Sequence, residues 1–228
     1  MQPIFATQQN IMRIVVSATE IQKEEWLQKP MASGNDLVFI NGLNTETGHG
    51  KADVFFDLDF NENKPVFIET DQPVFVNAVI TGLDELPSNY IRINAWNGFL
   101  KRDIIEVAAA ETNKPIVDAV MLALNRSYIL VPDVPGMIAA RAISMIINEA
   151  YFALGDEVST ITEIDVAMKL GTNYPYGPFE WSEKIGLEKI YFLLKKLLEK
   201  DGRYAIAPLL REAALKKINY KFCPYYLT

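Results

Sequence analysis

A chain of 228 residues, half of them hydrophobic and 22% charged, can bury one large core or two small ones and has the composition of a globular protein. Its net charge of −7 comes from the first 132 residues, which disfavours nucleic-acid binding through a basic face. The longest apolar runs are interrupted by polar side chains, the opening residues lack the basic segment of a secretory leader, and the single cysteine, Cys223, permits no internal disulfide. A cytoplasmic protein with no membrane partner is expected.

Residues 12–16 read as a first strand and 18–27 as a helix capped by Ser17 or Thr19. Further short apolar strands are expected at 36–40, 54–56, 65–68, 74–76, 90–95 and 104–109. Little alternation within them suggests a sheet covered on both faces, hence an α/β layer, though with fewer helices than a full doubly wound domain needs. Asp53, Asp57, Asp59 and Glu62 read together as a solvated acidic patch.

A turn that receives a dinucleotide needs glycines, so that the chain bends sharply and the pyrophosphate reaches a helix N-terminus. After Val16 this chain has Ser17-Ala18-Thr19-Glu20, with no glycine, and no acidic ribose ligand is identifiable after the second strand. Gly42, Gly48 and Gly50 read as turn residues, and His49, the only histidine, as a solvated loop side chain.

The chain is organised around residues 128–154. A strand at 128–131 leads through Pro132-Asp133-Val134-Pro135-Gly136 into a long apolar helix, with Asp133 as cap and Pro135 in its first turn. Arg141, Ser144 and Asn148 make its thin polar stripe, the pattern of a helix buried against several neighbours. Thr162, with Glu163 and Asp165, is expected to start a helix over 164–170 that Gly171 ends. Pro178 starts another, Gly186 stops it, 187–198 is strongly amphipathic with Lys195, Lys196 and Lys200 outward, and 208–217 is the last helix.

Three segments resemble the 3-hydroxyacyl-CoA dehydrogenase family. They are the 131–136 junction, residues 164–187 with Tyr174-Pro175-Tyr176-Gly177-Pro178-Phe179-Glu180, and residues 91–106. The resemblance implies a trimmed Rossmann-like, mostly parallel sheet at 1–132, then an all-α C-terminal domain at 133–228. It also implies NAD as the family's cofactor, an acyl-CoA cleft between the domains and a homodimer through the helices. In the family's catalytic pattern a histidine takes the hydroxyl proton, a glutamate orients it and an asparagine positions the substrate. Here those positions hold Asn94, Glu106 and Asn97, and Gly98 stands for the family's proline. A second substrate-side asparagine is Ala140, and Thr81 is the hydroxyl nearest the family's Ser/Thr-rich stretch. Asn94 and Asn97 share a face only if the strand is bulged, and Trp96 and Phe99 read as core.

An amide cannot accept and hold a proton, so Asn94 is no general base. The expectation is therefore a dehydrogenase-like protein of fatty-acid metabolism that has lost hydride transfer, binds no NAD in the family's manner and keeps an acyl-CoA cleft. The alternatives are an active oxidoreductase with altered residues, with Glu106 acting as base, and a non-catalytic dimer or interaction subunit. No metal ligands are expected.

Overall fold

The computed structural model describes residues 11–40, 51–60, 65–67 and 69–222. His49 with its flanking glycines, Gly42, Glu62, Cys223 and the tail lie outside them. Unbroken runs of Ile, Val and Phe form β1 (Arg13–Ser17), β2 (Asp36–Ile40), β3 (Val54–Asp57), β4 (Val74–Val76) and β5 (Tyr90–Ile93). These pair in parallel in the order β2-β1-β3-β4-β5. Next, β6 (Ile104–Ala108) joins β5 antiparallel, and β7 (Ser127–Leu130) lies parallel to β6. A doubly wound dinucleotide sheet has a third strand outside the second. Here β2 is the edge among the described residues, and the chain crosses back over β1 to make β3. The sheet is thus a trimmed Rossmann-like one.

One face packs Ile14, Val16, Phe56, Phe75, Ile91 and Val107 against Trp26 of α1 (Glu20–Leu27) and Val117, Val120 and Met121 of α2 (Lys114–Ala123). Thr19 caps α1 in a reciprocal capping box with Gln22. The sequence reading has no helix at α2, although Pro115 in the first turn and apolar residues at helical spacing make one. On the opposite face Val15, Phe55, Val74 and Tyr90 are covered by loop residues such as Phe67. The strand expected at 65–68 is not formed at 65–67, and residue 68 lies outside the described residues. Its backbone groups go to side chains instead of a ladder: Val66 N–H donates to Asp57 Oδ2 at 3.1 Å, and the Tyr90 hydroxyl donates to the Phe67 carbonyl at 2.7 Å. Asp57 is therefore buried, at 1% exposure, and does not belong to a solvated acidic patch.

Five helices follow: α3 (Ala139–Gly155), α4 (Ile161–Thr172), α5 (Pro178–Ile185), α6 (Leu187–Leu198) and α7 (Pro208–Phe222). Ile143, Ile147, Trp181, Ile190, Leu194 and Leu210 make their shared core, into which Val79, Trp96 and Phe99 project from the sheet's connections. Two helix starts differ from expectation. Pro135 precedes α3, because Gly136 (φ +80°) and Met137 (φ +47°) first make a left-handed turn. Thr160 caps α4 with Glu163, displacing Thr162, and the helix runs through Gly171 until Asn173 (φ +55°) ends it.

Asp133 does not cap α3. It accepts the Leu83 N–H and pairs with Arg92, which is fully buried on β5 and also donates to the Ala78 carbonyl at 2.8 Å and the Val79 carbonyl at 3.2 Å. Gly136 N–H donates to the Val79 carbonyl at 2.7 Å. These bonds clasp the connector between sheet and helices to the loop leaving β4. By contrast α4 buries only Asp165, whose carboxylate accepts the Phe179 N–H at 2.9 Å, while Leu170 is 84% exposed. Among the described residues no helix is long and apolar enough to cross a membrane.

Candidate functional site

Asn94 is the first residue past β5, and the antiparallel pairing with β6 sets it opposite Glu106. The Asn94 side-chain amide donates to Glu106 Oε2 at 3.2 Å. Glu106 Oε1 accepts the N–H of Ala139, the first residue of α3, at 2.8 Å. Asn94 Oδ1 in turn accepts the Trp96 N–H at 3.4 Å. Glu106 therefore joins strand to helix, with a carboxylate at the positive end of α3 where the dipole favours it. The Asn94 amide cannot accept and hold a proton, and the two Glu106 oxygens each accept one hydrogen bond.

A cavity of about 520 Å³ opens beside this pair. Asn94 and Glu106 form its polar floor, Phe99, Ile104, Ile129 and Ile138 its apolar walls, and Arg102 and Asp103 its rim. The isoleucines are far from covered: Ile104, Ile129 and Ile138 are 54%, 47% and 53% exposed. The Arg102 guanidinium lies 4.1 Å from the Phe99 ring centroid, and partial burial lowers its pKa.

Asn97 is not brought to this pair. After Ile93 the chain leaves the strand for a turn, in which Gly98 has φ +96° and donates its N–H to Glu25 Oε1 at 2.7 Å. Asn97 lines a separate surface cleft with Ile21, Tyr176 and Lys184. Ala140 is fully buried, and Thr81 is buried beside a third cleft. That cleft holds about 640 Å³ and runs between the ends of β3 and β4 and helix α6, with Asn77, Trp96, Phe192 and Lys195 among its walls. The site residues that sequence reasoning missed are Arg102 and the three isoleucines. Only Ile104 and Arg102 lie within the 91–106 motif, and nothing local shows that β7 and α3 bring Ile129 and Ile138 to them.

The place where a dinucleotide pyrophosphate would approach, between β1 and α1, is filled by the chain itself. Ser17 and Ala18 are buried, and the first turn of α1 is closed by Thr19 and Gln22. The Gln22 amide crosses the crevice, donating to the Leu58 carbonyl at 2.5 Å and the Ala95 carbonyl at 3.2 Å. The residues present do not fit a nicotinamide dinucleotide bound at this turn. Among the described residues no group of three or more His, Cys, Asp or Glu side chains converges on a metal position.

Asp57, at the end of β3, is the strongly shifted carboxyl. Burial raises its pKa to about 6, the Val66 N–H opposes that rise, and the charge of Asp59 adds to it. Its Oδ1 has no hydrogen-bond partner among the described residues.

The family model of the 3-hydroxyacyl-CoA dehydrogenase C-terminal domain matches residues 136–219, spanning α3 to most of α7. The 3-hydroxyadipyl-CoA dehydrogenase of Escherichia coli K12 is 42% identical over 99 residues, 42% of this chain and 21% of that protein. A 3-hydroxybutyryl-CoA dehydrogenase of Clostridioides difficile is 28% identical over 181 residues, 77% of this chain and 64% of that one. The chain thus spans less than two thirds of the length of either relative. The crystal structure of (S)-3-hydroxybutyryl-CoA dehydrogenase from Ralstonia eutropha superposes with a TM-score of 0.66 at 17% identity, covering 89% of this chain and 93% of that one, a likeness of fold alone. The sheet and C-terminal helices share the fold of that enzyme, and the sequence match to the 3-hydroxyacyl-CoA dehydrogenase C-terminal domain is confined to residues 136–219.

Proposed function

We propose that this protein is a 3-hydroxyacyl-CoA dehydrogenase-like member of fatty-acid metabolism that binds an acyl-CoA without transferring hydride. The observation that carries this reading is Asn94, whose amide faces Glu106 at 3.2 Å where the family's pattern has a proton-accepting histidine. The self-filled turn at Gln22 supports the loss of the cofactor as well. The retained cavity, with a polar floor and aliphatic walls, suits an acyl chain. The relatives named above carry 3-hydroxyadipyl-CoA and 3-hydroxybutyryl-CoA in their names, which supports an acyl-CoA as the ligand class. In this reading residues 1–132 form the degenerate nucleotide-type domain and 133–228 the helical domain, in a cytoplasmic protein.

A second role, as a homodimer or interaction subunit, is favoured by α4. A twelve-residue helix that buries only one of its own side chains and leaves Ile161, Val166 and Leu170 exposed presents an apolar stripe suited to a second copy. Calorimetric titration of the purified protein with NADH and, separately, with acetoacetyl-CoA tests the principal reading. Acyl-CoA binding without NADH binding is expected; micromolar NADH binding would overturn it.

A further inference from the structure

The cleft lined by Asn97 holds about 770 Å³ and shares no wall residue with the Asn94–Glu106 cavity. It lies on the seam between sheet and helices. Ile21 comes from α1, Asn97 from the turn after β5, Tyr176 from the loop before α5, and Lys184 from α5. The Tyr176 ring is fixed in this seam. It packs edge-on against the buried Trp181 with centroids 4.9 Å apart, and the ammonium groups of Lys101 and Lys184 stand 5.1 and 5.2 Å from its centroid.

Lys101 Nζ donates to the Tyr176 hydroxyl oxygen at 2.9 Å. An ammonium has donors only, so the phenol is the acceptor in that bond and keeps its own O–H to donate. Among the described residues no group accepts it. The bond from Lys101 lowers the Tyr176 pKa, as does the charge of Lys184, against partial burial and the charge of Glu25. A more acidic phenol is a stronger donor to an anion. Lys184 stands 3.8 Å from Glu25, too far for a hydrogen bond, and both Glu25 oxygens already accept the Gly98 N–H, at 2.7 and 2.8 Å. The Asn97 amide has no hydrogen-bond partner among the described residues. One cleft is thus lined by a phenol, an ammonium and an amide whose donors are unspent.

We propose that this cleft is a second ligand site, separate from the acyl cavity, which takes a small organic acid by its carboxylate. The Tyr176 hydroxyl and the Lys184 ammonium are its anchors, and the Asn97 amide is a further donor. The half-exposed Ile21, with Pro175, supplies apolar contact for the body of the acid. Charges around the cleft balance: Lys101, Lys169 and Lys184 against Glu25, Glu180 and Glu183, with Lys169 paired to Glu180. General attraction for anions is therefore weak, and recognition rests on the directed donors. A single negative charge suits them, whereas a dianion would bring a second charge to walls that already carry Glu180 and Glu183.

The test is calorimetric titration of the full chain with benzoate and with benzamide, which has the same ring without the charge. The wild type is expected to bind benzoate about tenfold more tightly than benzamide. Tyr176→Phe keeps the ring against Trp181 and removes only the hydroxyl. It is expected to weaken benzoate about tenfold and to leave benzamide unchanged, and Lys184→Gln is expected to do the same. Circular dichroism of wild-type strength reports that both variants fold. Absence of benzoate binding, equal affinity for acid and amide, or benzoate affinity that survives Tyr176→Phe would each overturn the proposal. None of these results bears on acyl-CoA binding, which is measured separately with acetoacetyl-CoA.

Discussion

The side-chain amide of Asn94 donates to Glu106 across the antiparallel β5–β6 pair, at 3.2 Å. Replacing Asn94 with histidine would place an imidazole against the same carboxylate, the arrangement of a general base and its orienting partner. Without a nicotinamide dinucleotide at the β1–α1 turn this gains nothing. Asn94→His is expected to show no acetoacetyl-CoA-dependent loss of NADH absorbance above the wild-type background. Measurable turnover would show that the Gln22-filled turn admits the cofactor after all.

The Arg92–Asp133 pair predicts a stability effect. Arg92 is fully buried, so Asp133→Ala leaves a guanidinium with carbonyl partners but no countercharge. Breaking a buried pair from one side costs about 3–5 kcal/mol, discounted here to about 2–3 because the Asp133 side chain is a third exposed. A melting temperature lower by roughly 5–10 °C is expected in calorimetry. Asp133→Asn, which keeps an acceptor, is expected to fall less.

Asp57 sets a pH dependence of unusual sign. Its folded pKa of about 6 lies above the ordinary carboxyl value of 3.8, so the folded chain holds this proton over a range in which the unfolded chain has released it. Its contribution is therefore full below pH 3.8 and is lost as pH rises towards 6. Asp57→Asn removes the buried charge and keeps an oxygen for the Val66 N–H. It is expected to stabilise the protein at pH 7.5 by about 1–2 kcal/mol and to have little effect at pH 4, as thermal melts at the two values would show. A variant equally destabilised at both would refute the assignment.

The exposed stripe on α4 predicts self-association. The wild type is expected to sediment as a dimer, and Val166→Lys with Leu170→Lys as a monomer with unchanged helicity. A monomeric wild type at micromolar concentration would remove this role.

Strands and helices that carry their own signal were legible in the chain. Thr19 before the run of α1, the Ile-Val-Phe strands and the Gly177-Pro178 entry to α5 are local features, and each appears where the sequence places it. The failures are non-local. Asp133 looks like a helix cap until Arg92, 41 residues earlier in the chain, is found beside it. Asp57 looks solvated until the 65–67 loop folds over it, and that loop looks like a strand until its backbone groups are traced to side chains. Within the site, the sequence links Asn94 and Glu106 only through the resemblance to the family's catalytic pattern, and the antiparallel β5–β6 pair brings them together. Asn97 could not be sent elsewhere without the turn at Gly98, nor Ile129 and Ile138 brought in without the sheet order and the start of α3.

Gln22 carries a consequence for the protein in its cell. A fold whose central crevice is completed by a bound nucleotide gains part of its stability from that nucleotide, in proportion to the logarithm of its concentration. Here a side chain of the chain's own first helix satisfies the Leu58 and Ala95 carbonyls. On the proposed reading, folding in the cell draws no stability from the nicotinamide pool, and added NADH is expected to leave the melting temperature unchanged.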